Sequence, residues 1–237
     1  MSIKADVPEC YRCFHQKIQQ KPLIMFIMQD IKRMIERALN IEIHLPPDLK
    51  VVEAAEYDFF EQARYDPIEK KLILRSDLYW CKITLVHETL HACSYFSHNY
   101  DEKKMEYFRP FIEALTEFLT GYVLYKEQSH CYKAWINRTY RICGLSIMYE
   151  RGVRAFAVAA RYIPLKDFVK IYIWQPNKNW EDEFKKFLSK YNLRIQAGIT
   201  LISKFIRALE KAFGKDLLEL IYEEPLDVCV DFSKIVL

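Results

Sequence analysis

Residues 83–96 read ITLVHETLHACSYF, an apolar helical segment that carries His87, Glu88 and His91. Winding it at about 100° per residue puts Leu85, Val86, Leu90, Cys93 and Phe96 on one side. Trp80, Thr84, His87, His91, Ser94 and His98 fall on the opposite stripe, away from the expected core. Two imidazoles four positions apart on one helix face can close on a single metal ion. Glu88 lies beside them, placed to take a proton from a metal-activated water rather than to bind the metal. The competing reading is a pair of surface histidines on a solvated face.

A catalytic metal needs a third protein ligand and a position left open for water. His98 is a poor candidate, because on a continuous helix it lies about 10 Å beyond His91 along the axis. No glycine stands between His91 and Gly121 to turn the chain back. The next helix offers FIEALTEFLTG at 111–121, where Glu113 and Glu117 are four apart and share the side opposite Phe111, Leu115, Phe118 and Tyr122. The small Ala114 and Gly121 beside them permit close helix approach. One carboxylate completes a His-His-Glu ligand set, while the other accepts a hydrogen bond from a ligand histidine and fixes its tautomer. Spacing alone leaves open which does which.

With His-Glu-Thr-Leu-His at 87–91 and Glu-Ala-Leu-Thr-Glu at 113–117, the chain resembles the gluzincin family of zinc metallopeptidases, a zincin-like fold. The resemblance covers roughly Asp58 to Tyr125. In thermolysin-like members the third ligand opens a Glu-Ala-x-x-Asp pattern whose last carboxylate supports a zinc-bound histidine. The resemblance therefore implies Zn2+ held by His87, His91 and Glu113, with Glu117 as the supporting carboxylate and Glu88 as the catalytic base. It also implies an antiparallel edge strand just before the active-site helix, a slot that KKLILRS at 70–76 occupies, with peptide substrate adding to it as a further strand. The chain departs from the pattern in two places. Ile112 stands where those families often carry Asn, and no downstream His or Tyr can be picked out as an oxyanion donor. Tyr122, Tyr125, His130 and Tyr149 are candidates among 16 tyrosines and 6 histidines, and none is singled out.

Working outward, the apolar positions Ile24, Ile27, Met28, Ile31, Met34, Ile35, Ala38 and Leu39 recur at helical spacing over 23–39, and Asn40 stops the helix. IEIHL at 41–45 alternates as a short strand, and KVVEA reads as a second extended stretch. DFFEQARY and KKLILRS flank Asp66-Pro67 as a β-hairpin. Beyond it, periodicity predicts helices near 78–98, 105–126, 130–148, 151–162, 165–173, 180–191 and 195–214. Phe156, Ile163, Leu165, Phe168, Phe205 and Leu209 in these helices read as the core wall under the cleft. The expectation is α+β: one zincin-like domain over 1–237, with a helix and small antiparallel or mixed sheet in 1–77, the active-site helices in 78–126 and a helical part in 127–237.

Composition bounds the partners. The chain has 237 residues, 51% of them apolar, and only 5 glycines, which excludes low-complexity and collagen-like classes. Thirty-five basic residues against 32 acidic ones give +3, too balanced for a nucleic-acid or membrane surface. The opening MSIKADVPECYRCFHQ lacks the basic and apolar regions of a signal peptide, so a cytoplasmic address is expected. Seven cysteines read as reduced thiols, apart from the Cys10–Cys13 CxxC. That pair offers half a zinc site with His15 as its only neighbouring helper, and a nucleic-acid-binding module built on it would need a basic patch that is absent.

The expected activity is zinc-dependent hydrolysis of a peptide or protein substrate, with Glu88 as general base and then proton donor to the leaving amine. The alternative is a catalytically inactive zincin-like scaffold that binds a partner, with the C-terminal helices as its surface.

Overall fold

The computed structural model describes residues 21–54, 63–75, 82–98, 101–129, 131–133, 135–136, 147–195, 200–214, 217, 221–222 and 230–236. Cys10, Cys13, His15, Trp80 and His130, together with most of the helix expected over 130–148, lie outside them, as does the side chain of Tyr149.

Helix α1 spans Lys21–Leu39, and its stripe Met28, Ile31, Met34, Ile35, Ala38 and Leu39 is buried as the 3.6-residue period requires. Asn40 ends it in the left-handed conformation, at φ 51°. The expected strand at 41–45 does not form. The Ile43 amide donates to Glu36 Oε1 at 3.1 Å and the Ile41 amide to the Glu36 carbonyl at 3.2 Å, so these groups finish the helix instead of entering a ladder.

Three strands follow: β1 (Lys50–Ala54), β2 (Ala63–Asp66) and β3 (Lys71–Arg75), in the order β1-β3-β2. β1 runs parallel to β3, Lys50 opposite Lys71, and β2 runs antiparallel to it, Ala63 opposite Leu74. Asp66 Oδ1 accepts the amides of Ile68 and Glu69 at 2.9 and 3.1 Å and so folds the hairpin turn. The sheet is mixed, and one expectation needs correction. KKLILRS is the central strand, not the edge. The strand beside the HETLH helix is β2, whose second side carries no strand among the described residues.

Helix α2 (Lys82–Ala92) and the one-turn α3 (Tyr95–His98) replace the single helix expected over 78–98. The break falls at Cys93–Ser94, where Ser94 bridges to Ile173 and the Cys93 carbonyl accepts the Trp174 amide at 2.8 Å. Helix α4 runs Glu102–Lys126 with Pro110 inside it, and is followed by α5 (Ile147–Ala159), α6 (Leu165–Tyr172), α7 (Trp180–Lys190) and α8 (Leu201–Phe213). The chain is α+β and mostly helical. α5 runs through the boundary expected near 148–151, because Gly152 serves packing rather than a helix end: a Cβ there would sit 2.5 Å from the Ala114 Cβ.

α4 is the hinge of the architecture, with α2 on one side and α5 and α8 on the other. Its apolar side puts Phe111 and Phe118 against Phe156, at centroid distances of 5.1 and 6.2 Å, and Phe156 in turn meets Phe168 and Phe205. Such pairs add about 0.5–1.5 kcal/mol each beyond area burial. Ile163, Leu165 and Leu209 are buried in the same core, so the expected wall forms. Phe232 plugs the far end between Phe118, Tyr122 and Tyr125.

Candidate metal centre

Burial of α2 is nearly complete. Thr84 and Ser94, on the stripe read as facing away from the core, are 4% and 1% exposed, so that face is a packed seam and not a solvated one. His87, Glu88 and His91 keep partial access, as does His98 beyond the helix end. The seam faces α4, which supplies Glu113 and Glu117.

Three donor atoms converge there. His87 Nε2 lies 3.0 Å from His91 Nε2, His91 Nε2 lies 3.2 Å from Glu113 Oε2, and His87 Nε2 lies 3.5 Å from the same oxygen. A tetrahedral site with bonds of about 2.0–2.1 Å has donor-to-donor edges of about 3.3 Å. The triangle matches that size, and these three side chains could hold a metal ion. Glu117 Oε2 accepts from His87 Nδ1 at 2.8 Å, which leaves the other ring nitrogen directed at the triangle.

The electrostatics favour positive charge at the convergence point. Two imidazole lone pairs 3.0 Å apart repel unless a proton or a metal ion lies between them. Burial lowers the affinity of His87 for a proton, but the hydrogen bonds of Glu113 and Glu117 outweigh it and raise its pKa to about 10. Burial likewise favours neutral Glu113, yet His91 and His87 hold its carboxyl well below the ordinary range. The pocket thus stabilises positive charge among these atoms, whether a proton or a metal ion carries it.

Glu88 has a different environment. Its Oε2 accepts the main-chain amide of Tyr65, on the free side of β2, at 2.8 Å, which fixes the carboxylate at the mouth of the seam. Burial pushes its pKa up, against the opposing pull of His87 and His91. A carboxylate that is fixed, near the histidines and more basic than usual is suited to proton transfer.

The structure brings His87, Glu88, His91, Glu113 and Glu117 together. It separates His98, which stacks on Trp174 at 4.1 Å and reaches the His44 carbonyl at 3.2 Å. Tyr122 and Tyr125 pack around Phe232 and stay out of the site. Two neighbours were missed by the sequence reading. Thr116 Oγ1 lies 3.5 Å from His91 Nδ1, and Tyr172 Oη lies 2.6 Å from Thr116 Oγ1. Thr116 had a signal, being three residues beyond Glu113 on the same helix, whereas Tyr172 is 56 residues further on and had none. No helix among the described residues is long and apolar enough to cross a membrane. No protein-family model, curated protein or solved structure matches the chain, so the geometry of the seam is what speaks to function.

Proposed function

We propose that this protein is a zinc-dependent metallopeptidase. The observation that carries the reading is the triangle of His87 Nε2, His91 Nε2 and Glu113 Oε2, with Glu88 fixed beside it. Histidine nitrogens with one carboxylate oxygen suit zinc, and three protein ligands leave a position for water. When bound, zinc polarises the scissile carbonyl and makes water acidic enough to ionise near neutral pH. Glu88 takes the proton of the attacking water and delivers it to the leaving amine nitrogen. Glu117 keeps the Nδ1 proton of His87 in place so that Nε2 stays a donor toward the metal. An extended peptide would lie along the free side of β2, next to α2, rather than along β3.

The first test is elemental analysis of protein purified without added metal or an affinity tag. About one zinc per chain, lost in His91→Ala, is expected. The second is hydrolysis of a mixed peptide pool. Glu88→Gln should retain zinc and lose turnover by roughly a hundredfold or more. Zinc absent from wild type even after reconstitution overturns the proposal, and zinc without hydrolysis of any peptide removes its enzymatic half.

A further inference from the structure

We infer that Thr116 and Tyr172 form a neutral hydroxyl relay that orients His91, the counterpart of the carboxylate that orients His87; the inference rests on the metal-site reading above. Thr116 Oγ1 has one proton and two lone pairs. Three groups surround it: the Ile112 carbonyl at 2.7 Å, Tyr172 Oη at 2.6 Å and His91 Nδ1 at 3.5 Å. A carbonyl only accepts, so the single hydroxyl proton goes to Ile112. Both lone pairs then receive protons. Tyr172 donates its O–H and His91 donates Nδ1–H. That places the imidazole proton on Nδ1 and leaves Nε2 bare toward the triangle.

The placement of Tyr172 supports a dedicated role. Its ring is fully buried at the end of α6, and the next two residues strap that helix to the end of α2 through the Ile173–Ser94 bridge and the Trp174 amide. Three helices thus meet at one hydroxyl: α2 through His91, α4 through Thr116 and α6 through Tyr172. Burying two hydroxyls costs stability unless each is bonded, and here each bond serves the next. Coordination at Nε2 makes Nδ1–H a stronger donor, which tightens the longest of the three contacts.

The chemical consequence concerns charge. Glu88, Glu113 and Glu117 already bring three carboxylates to the candidate centre. A further carboxylate behind His91 would add to that negative charge and make the ion a weaker Lewis acid, and a hydroxyl relay avoids this. Ile112, which stands where the resembled families often carry Asn, contributes its main-chain carbonyl to the same relay. Thr116 and Tyr172 are positioning residues and touch no substrate.

The test is Thr116→Val combined with Tyr172→Phe. Removing both partners leaves no unsatisfied buried hydroxyl, so folding of the metal-free double variant should stay near wild type. Zinc affinity by chelator competition should fall about 10–100-fold. The visible bands of the cobalt-loaded variant should shift, which a purely structural role would not cause. Thr116→Ser, which keeps the hydroxyl, should restore affinity. Adding Tyr172→Phe to Thr116→Val should cost no further affinity, since Tyr172 acts only through Thr116. A double variant with wild-type affinity and unchanged cobalt bands overturns the relay and leaves the metal site standing. Wild type that takes up neither zinc nor cobalt overturns both. Should the double variant not fold, ring nitrogen NMR of zinc-loaded wild type decides: a slowly exchanging Nδ1 proton on His91 supports the relay, and its absence ends it.

Discussion

Glu88 and Glu113 stand close to the same two histidines, yet their environments push them apart. Glu113 is held well below the usual carboxylate range, whereas burial pushes Glu88 up. Such divergence separates a ligand from a proton carrier. Glu117 works on neither side of that division, since it acts through His87. Glu117→Gln should weaken zinc binding by about tenfold in chelator competition while leaving Glu88 untouched. The pairing of Glu117 with His87, not His91, was illegible in the sequence. Four-residue spacing placed both carboxylates on the seam, but the offset between α2 and α4 along their axes selects the partner, and no local pattern encodes that offset. The relay was still less visible, because Tyr172 reaches Thr116 only through tertiary packing.

At the scale of elements, close helix approach decides the geometry. Gly152 of α5 faces Ala114 of α4, next to Glu113, with no room for a methyl group. Gly152→Ala should destabilise the protein by about 1–3 kcal/mol through overpacking, more than the ~1 kcal/mol gained in helix propensity. Urea unfolding measures this, and zinc affinity should fall with it because α4 must shift. A second clamp joins α6 to the end of α7: Asp167 is 5% exposed and takes Lys190 at 2.5 Å together with the Tyr191 hydroxyl. Burial opposes its ionisation, but Lys190 and Tyr191 outweigh it and lower its pKa. A carboxyl depressed on folding stabilises above its unfolded value of about 3.9, and the gain disappears as pH falls through the lower folded value. The stability difference between wild type and Asp167→Asn should therefore be full at pH 7 and shrink below about pH 4 in urea titrations. Helical periods were legible for α1, α4, α6, α7 and α8, whereas the break at Cys93–Ser94 and the run of α5 through 148–151 were not. Strand order was not legible either: the alternation of KKLILRS is the same for a central and an edge strand, and in IEIHL the carboxylate and the main-chain carbonyl of Glu36 take the Ile43 and Ile41 amides.

For the molecule as a whole, the candidate centre joins α2 to α4, which carries the aromatic core on its other side. Ligand that binds only the folded chain adds stability by mass action. Zinc at about a hundredfold excess over its dissociation constant should add about 2.7 kcal/mol and raise the melting temperature by roughly 5–10 °C in calorimetry. His91→Ala should abolish that rise. The bond between Glu88 and the Tyr65 amide has an effect of another kind. β2 is only four residues long, and its second side, which carries no strand among the described residues, is a template on which another chain can lie. One amide of that template is already occupied by the proposed base, and the donor is main chain, so any residue at 65 except proline would supply it. The carboxylate proposed for chemistry is thus held by the strand on which a peptide would lie, and Glu88→Gln keeps an acceptor for that amide, whereas Glu88→Ala leaves it without one.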